Sequence, residues 1–381
     1  MAGSRAPLRY ASVALALVHW GMRRRKPADP RRILVLHHLL LGDTLMLTAL
    51  LAKLRARYPS AEIAMTVSPA YAPLYQGRPY GVTACALDPR DLASLHRLRA
   101  LPRFDLAILP ADNRWSWLAR ALRIPWIVGI AGDRPAHKNW PVDELVPYSS
   151  VPTAFCETAA ALVEGPPPPP YRTAAWPAPA CQEPPRFAGD YAVLHVGASS
   201  VLKLWPAERW RALAEVLEAR GLSVVWSAGP GEAAIIDAID PSGARARIAG
   251  TLDLAAMWRV LVGARLLVCP DTGIAHLGRV AGVPTITLFG PGSHVICGPG
   301  EFFAGMPGRA VTVDPFACRD QTVQFFREVA WARRCERLAG VGPSRCARPR
   351  CMEAIDVAAV AAAVDELMGS RPLPRPVRSP S

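Results

Sequence analysis

Five consecutive prolines, Pro166 to Pro170, stand near the middle of this 381-residue chain, and Pro177, Pro179, Pro184 and Pro185 follow. A run of this kind is extended and semi-rigid, and it has no N–H groups to offer a sheet. It marks 166–185 as a linker and divides the chain into two stretches that must each build a core. Both stretches show the same alternation. Before the linker, short apolar runs stand at Ile33–Leu36, Glu62–Val67, Leu106–Leu109 and Trp126–Gly129. A helical pattern with Leu47, Leu50, Leu51 and Leu54 on one face fills the first gap. After the linker, strands are predicted at Tyr191–Val196, Leu222–Ser227, Leu266–Cys269 and Pro284–Phe289. Helices are predicted at Pro206–Arg220, Leu254–Gly263 and Ile274–Ala281. Buried parallel strands read as continuous apolar runs, and their alternation with helices predicts α/β, doubly wound sheets.

The predicted organisation is therefore an extension over 1–30, a first domain over 31–165 and the linker. A second domain follows over 186–353, then a helix over 354–368 and a disordered tail over 369–381. Hydrophobic residues make up 51% and charged residues 20%, enough apolar material for two cores.

The net charge is +13, which draws anionic partners to the chain. Residues 1–32 hold eight arginines and lysines against Asp29 alone. No nucleic-acid-binding motif accompanies them, so nucleic acid is not expected as a partner. The stretch Tyr10–Met22 is apolar but shorter than the roughly 20 residues that span a bilayer. Arg23, Arg24, Arg25 and Lys26 follow it, where a signal peptide would carry small residues. Two readings stay open: a helix lying on an anionic membrane surface, or one packed on the protein itself. The nine cysteines are an odd number, consistent with a reducing, cytoplasmic setting. Cys318, Cys335, Cys346 and Cys351 lack the CxxC pairing of structural zinc. A metal site, a labile disulfide and plain buried thiols all remain open for them.

Ligands of open parallel sheets bind beyond the carboxyl ends of strands, and four signals fall there. Gly42-Asp43 follows the first strand, where Gly42 permits a tight turn and close approach of a substrate and Asp43 sits where its carboxylate can cap the helix. His195-Val196-Gly197-Ala198-Ser199-Ser200 has Lys203 behind it, offering N–H groups and a cation to phosphate, without the spacing of a P-loop. Ser227-Ala228-Gly229-Pro230-Gly231 ends in Glu232, suited to a ribose or to a plain helix start. The most specific is Cys269-Pro270-Asp271-Thr272-Gly273-Ile274-Ala275-His276, which predicts Asp271 and Thr272 capping a helix with His276 one turn inside. Gly290-Pro291-Gly292 closes the next strand.

These residues resemble glycosyltransferase family 9, the ADP-heptose:lipopolysaccharide heptosyltransferases. The matching pieces are Ile33–Asp43 with Thr48–Pro59, Gly197–Lys203 with Trp205-Pro206 and Trp210, Gly229–Glu232, Ala249–Leu252, and Asp271-Thr272-Gly273 with His276 and Leu288–Pro291. They cover roughly 31–367 in order. The resemblance implies a GT-B fold, two Rossmann-like doubly wound domains facing across a cleft. It further implies an inverting transfer without a catalytic metal or cofactor. The donor would be a nucleotide-sugar such as ADP-heptose, and the acceptor a lipid-linked or phosphorylated saccharide. Asp43 matches the general base, Ser199 and Lys203 the donor phosphate contacts, and Glu232 the ribose contact. Leu252 falls at the adenine pocket, and Asp271, Thr272, Gly273 and His276 near the donor phosphates and sugar. Gly42 and His37 fall on the acceptor side. There the family usually places Arg or Lys followed by small polar residues. Here His37-His38-Leu39-Leu40-Leu41 stands instead, a histidine in place of the fixed cation.

The resemblance also implies a cytoplasmic enzyme, peripheral on the inner face of the membrane. The alternatives are a same-fold transferase with another nucleotide-sugar donor, or an inactive nucleotide-sugar-binding homologue. A nucleotide-dependent oxidoreductase is disfavoured because no GxGxxG follows either opening strand.

Overall fold

The computed structural model describes residues 4, 6–21, 24–181, 183–342 and 344–369. Residues 370–381, most of the tail expected to be disordered, lie outside them. The chain forms two compact units. The first runs to Pro177 and adds Gly300–Phe302 and Thr322–Ala332; the second comprises Ala178–Pro299, Phe303–Gln321 and the residues from Arg333 onward.

The first unit holds a parallel sheet of β1 (Arg32–Val35), β2 (Glu62–Val67), β3 (Val82–Ala86), β4 (Leu106–Leu109), β5 (Trp126–Ile130) and β6 (Glu144–Val146), ordered β3-β2-β1-β4-β5-β6. The second holds β7 (Tyr191–His195), β8 (Ser223–Ala228), β9 (Ala246–Ala249), β10 (Leu266–Pro270), β11 (Thr285–Phe289) and β12 (Gly308–Thr312). Their order, β12-β11-β10-β7-β8-β9, repeats that of the first sheet. Both are doubly wound Rossmann-like sheets whose strand order reverses once, between β1 and β4 and between β7 and β10.

The helices are α1 (Ala6–Val18), α2 (Leu41–Met46), α3 (Thr48–Arg57), α4 (Leu92–Ala100), α5 (Ser116–Ala121), α6 (Phe155–Ala160), α7 (Ala207–Ala219), α8 (Ala233–Ile239), α9 (Leu254–Gly263), α10 (Gly273–Ala281), α11 (Arg350–Glu353) and α12 (Val357–Gly369). The expected single apolar face of the first crossover is exceeded. Every residue from Thr44 to Leu54 is buried, and α3 packs against α6. In the second unit, Trp210 and Trp226 are fully buried and anchor the core. There α12 closes over α7 and β12.

Three stretches differ from the expected domain limits. The extension is part of the first unit: α1 packs on α5, with Leu8 and Ala16 buried. The proline-rich linker is fastened down at its first half, where the Trp176 ring meets Tyr75 at a tilt, 5.0 Å between centres, and donates to the Leu74 carbonyl at 3.0 Å. Within the expected second domain, 322–332 leaves to join the first unit. It carries a hairpin of β13 (Val323–Gln324) and β14 (Arg327–Glu328). The cause is Arg327, whose buried guanidinium donates to the carbonyls of Ala111, Ile130 and Ala131 and pairs with Asp133 at 3.2 Å.

Candidate active site

In the first unit, α2 starts straight after β1, on the side where the strand order reverses. Its N-cap is Leu40, whose side chain makes no capping bond. Asp43 is the third helical residue, so the N-cap role read from spacing is not the one it holds. It is half-buried, in the first turn, where the helix dipole favours a carboxylate. Gly42 beside it is buried. Burial raises the pKa of the Tyr71 phenol above its ordinary value; a backbone hydrogen bond with Leu41 opposes this, and the charge of Asp43 adds to it. A neutral phenol therefore stands within the field of Asp43.

His37 does not replace a cation. It is buried, and desolvation, with a smaller push from His38, lowers its pKa to about 3. Its Nδ1 accepts the Leu39 N–H at 3.2 Å, so the neutral ring carries its proton on Nε2, which has no partner among the described residues. The backbone of His37 is clamped to Thr66 by two hydrogen bonds of 2.8 and 2.7 Å. These backbone bonds fix the end of β1.

Elsewhere in the first unit, cations and an aromatic ring meet at residues that the sequence did not single out. Phe325 and Phe326, at the tip of the β13–β14 hairpin, both have positive φ, 46° and 63°. That conformation is costly for residues bearing a Cβ. Phe326 is 50% exposed, with Lys138 Nζ 4.0 Å and Arg114 Cζ 5.2 Å from its ring centre. Lys138 is held by Asp133 at 3.0 Å and Asp112 at 3.3 Å. No turn glycine announces this hairpin, and its partners follow β4 and β5, far away in sequence.

In the second unit the strand ends after β7, β8 and β10 share one edge. Lys203 Nζ donates to the Asp271 carbonyl at 2.7 Å and to its Oδ2 at 2.9 Å. The pair bridges the chain segments after β7 and β10, across the reversal of strand order. It uses two of the ammonium's three donors, and the lysine side chain stays 27% exposed. Asp271 is thereby committed to Lys203 rather than to capping α10. Thr272 occupies the N-cap without a capping bond, and its Oγ1 is buried with no partner among the described residues. The first turn of α10, opening at Gly273, thus keeps its dipole and N–H groups uncompensated by its own cap.

His276 lies one turn inside α10. Burial first, and then the charge of Arg279, lower its pKa to about 3. Arg279 stands 3.3 Å from Nδ1, so the neutral ring carries its proton on Nε2 and is a donor rather than a cation. Glu232 arches back over the glycine loops, its Oε2 accepting the Gly229 N–H at 2.7 Å. A Cβ on Gly197 would meet that oxygen at 1.9 Å. Gly250, at φ 70°, lies against Pro230, which a Cβ would meet at 2.5 Å. Leu252 is half-buried just beyond it, and Ser199 is exposed at the end of β7. Two cavities of the second unit, of ≈ 530 and ≈ 500 Å³, lie at the opposite, amino-terminal ends of β8 and β9.

Cys85, Cys181, Cys269, Cys318, Cys335, Cys346 and Cys351 are free thiols. Burial, and secondarily the neighbouring Cys318, push the Cys351 thiol up to about 11.

The model of glycosyltransferase family 9 (heptosyltransferase) matches residues 94–302, more than half of the chain. Lipopolysaccharide heptosyltransferase 1 of Pseudomonas aeruginosa is 41% identical over 123 residues, 32% of this chain and 32% of that protein. Its Escherichia coli K12 counterpart is 34% identical over 109 residues, 28% of this chain and 34% of that protein. The matched stretch thus spans about a third of these curated relatives. Among solved structures, E. coli ADP-heptose lps heptosyltransferase II superposes with a TM-score of 0.65 at 18% identity, covering 89% of this chain and 99% of that one. E. coli heptosyltransferase WaaC with ADP gives 0.60 at 20%, covering 73% and 92%. These likenesses show the GT-B fold. A family model that runs from the first Rossmann-like unit well into the second, on a chain whose two sheets share one strand order, leaves one conclusion: the chain belongs to glycosyltransferase family 9.

Proposed function

We propose that this chain is an inverting glycosyltransferase that moves heptose from ADP-heptose to a lipopolysaccharide-type or other cell-surface saccharide. The observation that carries the reading is the donor-side arrangement of the second unit. Lys203 is fixed by Asp271 where the strand order reverses, beside the uncapped start of α10, and Glu232 arches over Gly197. Diphosphate is a leaving group whose charge grows as the glycosidic bond breaks. Lys203, the α10 N–H groups and the neutral His276 donor would stabilise that charge, with Ser199 adding a hydroxyl. Glu232 has lone pairs left over from Gly229 for ribose hydroxyls, and Leu252 would flank the base.

Inversion needs one base to take the acceptor hydroxyl's proton as oxygen attacks the anomeric carbon. Asp43 is that base in this proposal. Acceptor-dependent release of ADP from ADP-heptose is the assay. Asp43→Asn is expected to lower kcat by about a thousandfold while ADP affinity is unchanged. Retention of most of the activity would remove Asp43 from the mechanism. Thermal shifts with a panel of nucleotide sugars check the donor, because a ligand specific to the folded state raises the melting temperature.

The acceptor side favours a second reading within this one. His37 is neutral, and Leu40 is 70% exposed where the resemblance places small polar residues. Phe326, with Arg114 and Lys138 beside it, offers a stacking surface flanked by cations. Both cations are paired with acids, Lys138 with Asp133 and Asp112 and Arg114 with Asp112, so what this surface offers an acceptor sugar is the exposed ring of Phe326.

A further inference from the structure

The outward side of α1 has no role in the reaction, yet it is apolar. Leu8, Ser12 and Ala16 face inward and are buried, and the Ser12 hydroxyl is satisfied by the Leu8 carbonyl at 2.7 Å. On the remaining surface Tyr10 is 72%, Leu17 57% and Val18 77% exposed. A helix apolar on both sides but buried on one is unfinished in water.

Aromatic rings continue the patch. Trp20 stacks on Trp117 at 5.9 Å, and Trp117 meets Trp140 edge-on at 6.5 Å. Trp140 is 62% exposed. Cations border it: Arg24 Cζ lies 4.8 Å from the Trp20 ring, and Arg9 is exposed on α1 itself. Arg123 and Arg99 are near enough to His19 to lower its pKa, behind the effect of burial. The acids close by are already engaged. Asp143 pairs with Arg120 and Arg24, while Glu144 and Glu164 pair with Lys26. Among the described residues no helix is long and apolar enough to cross a membrane.

We propose that this face, α1 with Trp20 and Trp140, seats in the headgroup boundary of an anionic lipid bilayer. Tryptophans at the rim of an apolar helix face, bordered by arginines, are the chemistry of that boundary. The +13 charge of the chain selects anionic over neutral lipid. This inference stands apart from the transferase reading, since neither α1 nor Trp140 belongs to the donor or base residues.

The test is co-sedimentation of the full chain with vesicles of phosphatidylcholine alone or mixed with phosphatidylglycerol, at low and high salt. The chain is expected to bind the anionic vesicles, more weakly at high salt. Leu17→Asp with Val18→Asp should cut that binding by about tenfold or more, with the melting temperature and activity on a soluble acceptor unchanged. Brominated lipid should quench wild-type tryptophan fluorescence, and Trp140→Ser should reduce that quenching; this arm holds even where the double variant folds poorly. Equal binding by the variants, no binding by the wild type, or a dimer in sedimentation equilibrium that the double variant dissolves would each overturn the proposal.

Discussion

Gly197 shows how much of this site rests on an absent side chain. The loop that leaves β7 runs so close to Glu232 that the carboxylate occupies the space where a Cβ on Gly197 would sit. Glu232 in turn is held by one backbone N–H, that of Gly229. Gly197→Ala must therefore move the carboxylate or the strand end. The expected result is a folded protein whose ADP affinity, measured by calorimetry, drops about tenfold, the loss of one charge-assisted hydrogen bond of roughly 1.4 kcal/mol. Unchanged affinity would mean that Glu232 does not meet the nucleotide. Part of this was legible beforehand, because a glycine-rich strand end followed by an acid suits a ribose. What the sequence could not show is that Glu232 folds back over a glycine 35 positions earlier in the chain.

Among the elements, the β13–β14 hairpin depends on its neighbours most. Two consecutive phenylalanines in the left-handed region offset other gains by roughly 1–2 kcal/mol each. They persist because Arg327 fastens the hairpin to the loops after β4 and β5. Arg327→Met would strip hydrogen bonds from three carbonyls of those loops and leave Asp133 with Lys138 as its cationic partner. Breaking a buried pair of this kind costs roughly 3–5 kcal/mol. Faster hydrogen exchange across 322–332 is expected, together with a higher KM for the acceptor and an unchanged Kd for ADP. An effect confined to global stability would show that Phe326 has no part in recognition. Nothing local in the sequence signalled this hairpin. Its turn lacks the Asn or Gly that a left-handed turn ordinarily uses, and Arg327 finds Asp133 across 194 positions.

At the scale of the whole molecule, both units contain histidines buried in the neutral form. His37 and His276 are lowered to about 3 and His195 to about 4, each chiefly by burial. Their unfolded value is near 6.5. As pH falls through 6.5, the unfolded chain takes up protons that the folded chain refuses. Stability from these groups is therefore complete above that pH and shrinks toward the folded values. Between pH 7 and pH 5 each histidine removes about 2 kcal/mol. Urea midpoints are expected to fall on acidification across this interval, and His195→Asn should flatten the slope by its share. A midpoint that stays level would contradict neutral burial.

What the sequence settled by itself is the interior of both sheets. All eight interior strands, β1, β2, β4, β5, β7, β8, β10 and β11, were readable, because a strand covered on both faces is a continuous apolar run. The four strands of these two sheets that went unread, β3, β6, β9 and β12, are their four edges, where exposure permits Thr83, Glu144, Arg247 and Arg309 to interrupt the pattern. The acids, glycines and lysine at the strand ends were equally local, so Asp43, Lys203, Glu232 and Asp271 could be named in advance. Only the tertiary structure decided which strand ends adjoin, that Lys203 takes Asp271 away from its helix, that His37 is sealed and uncharged, and that a late hairpin belongs to the first unit. Local runs record burial residue by residue. Strand order and charge pairing arise between segments far apart in the chain, whose meeting leaves no trace in the neighbours of either.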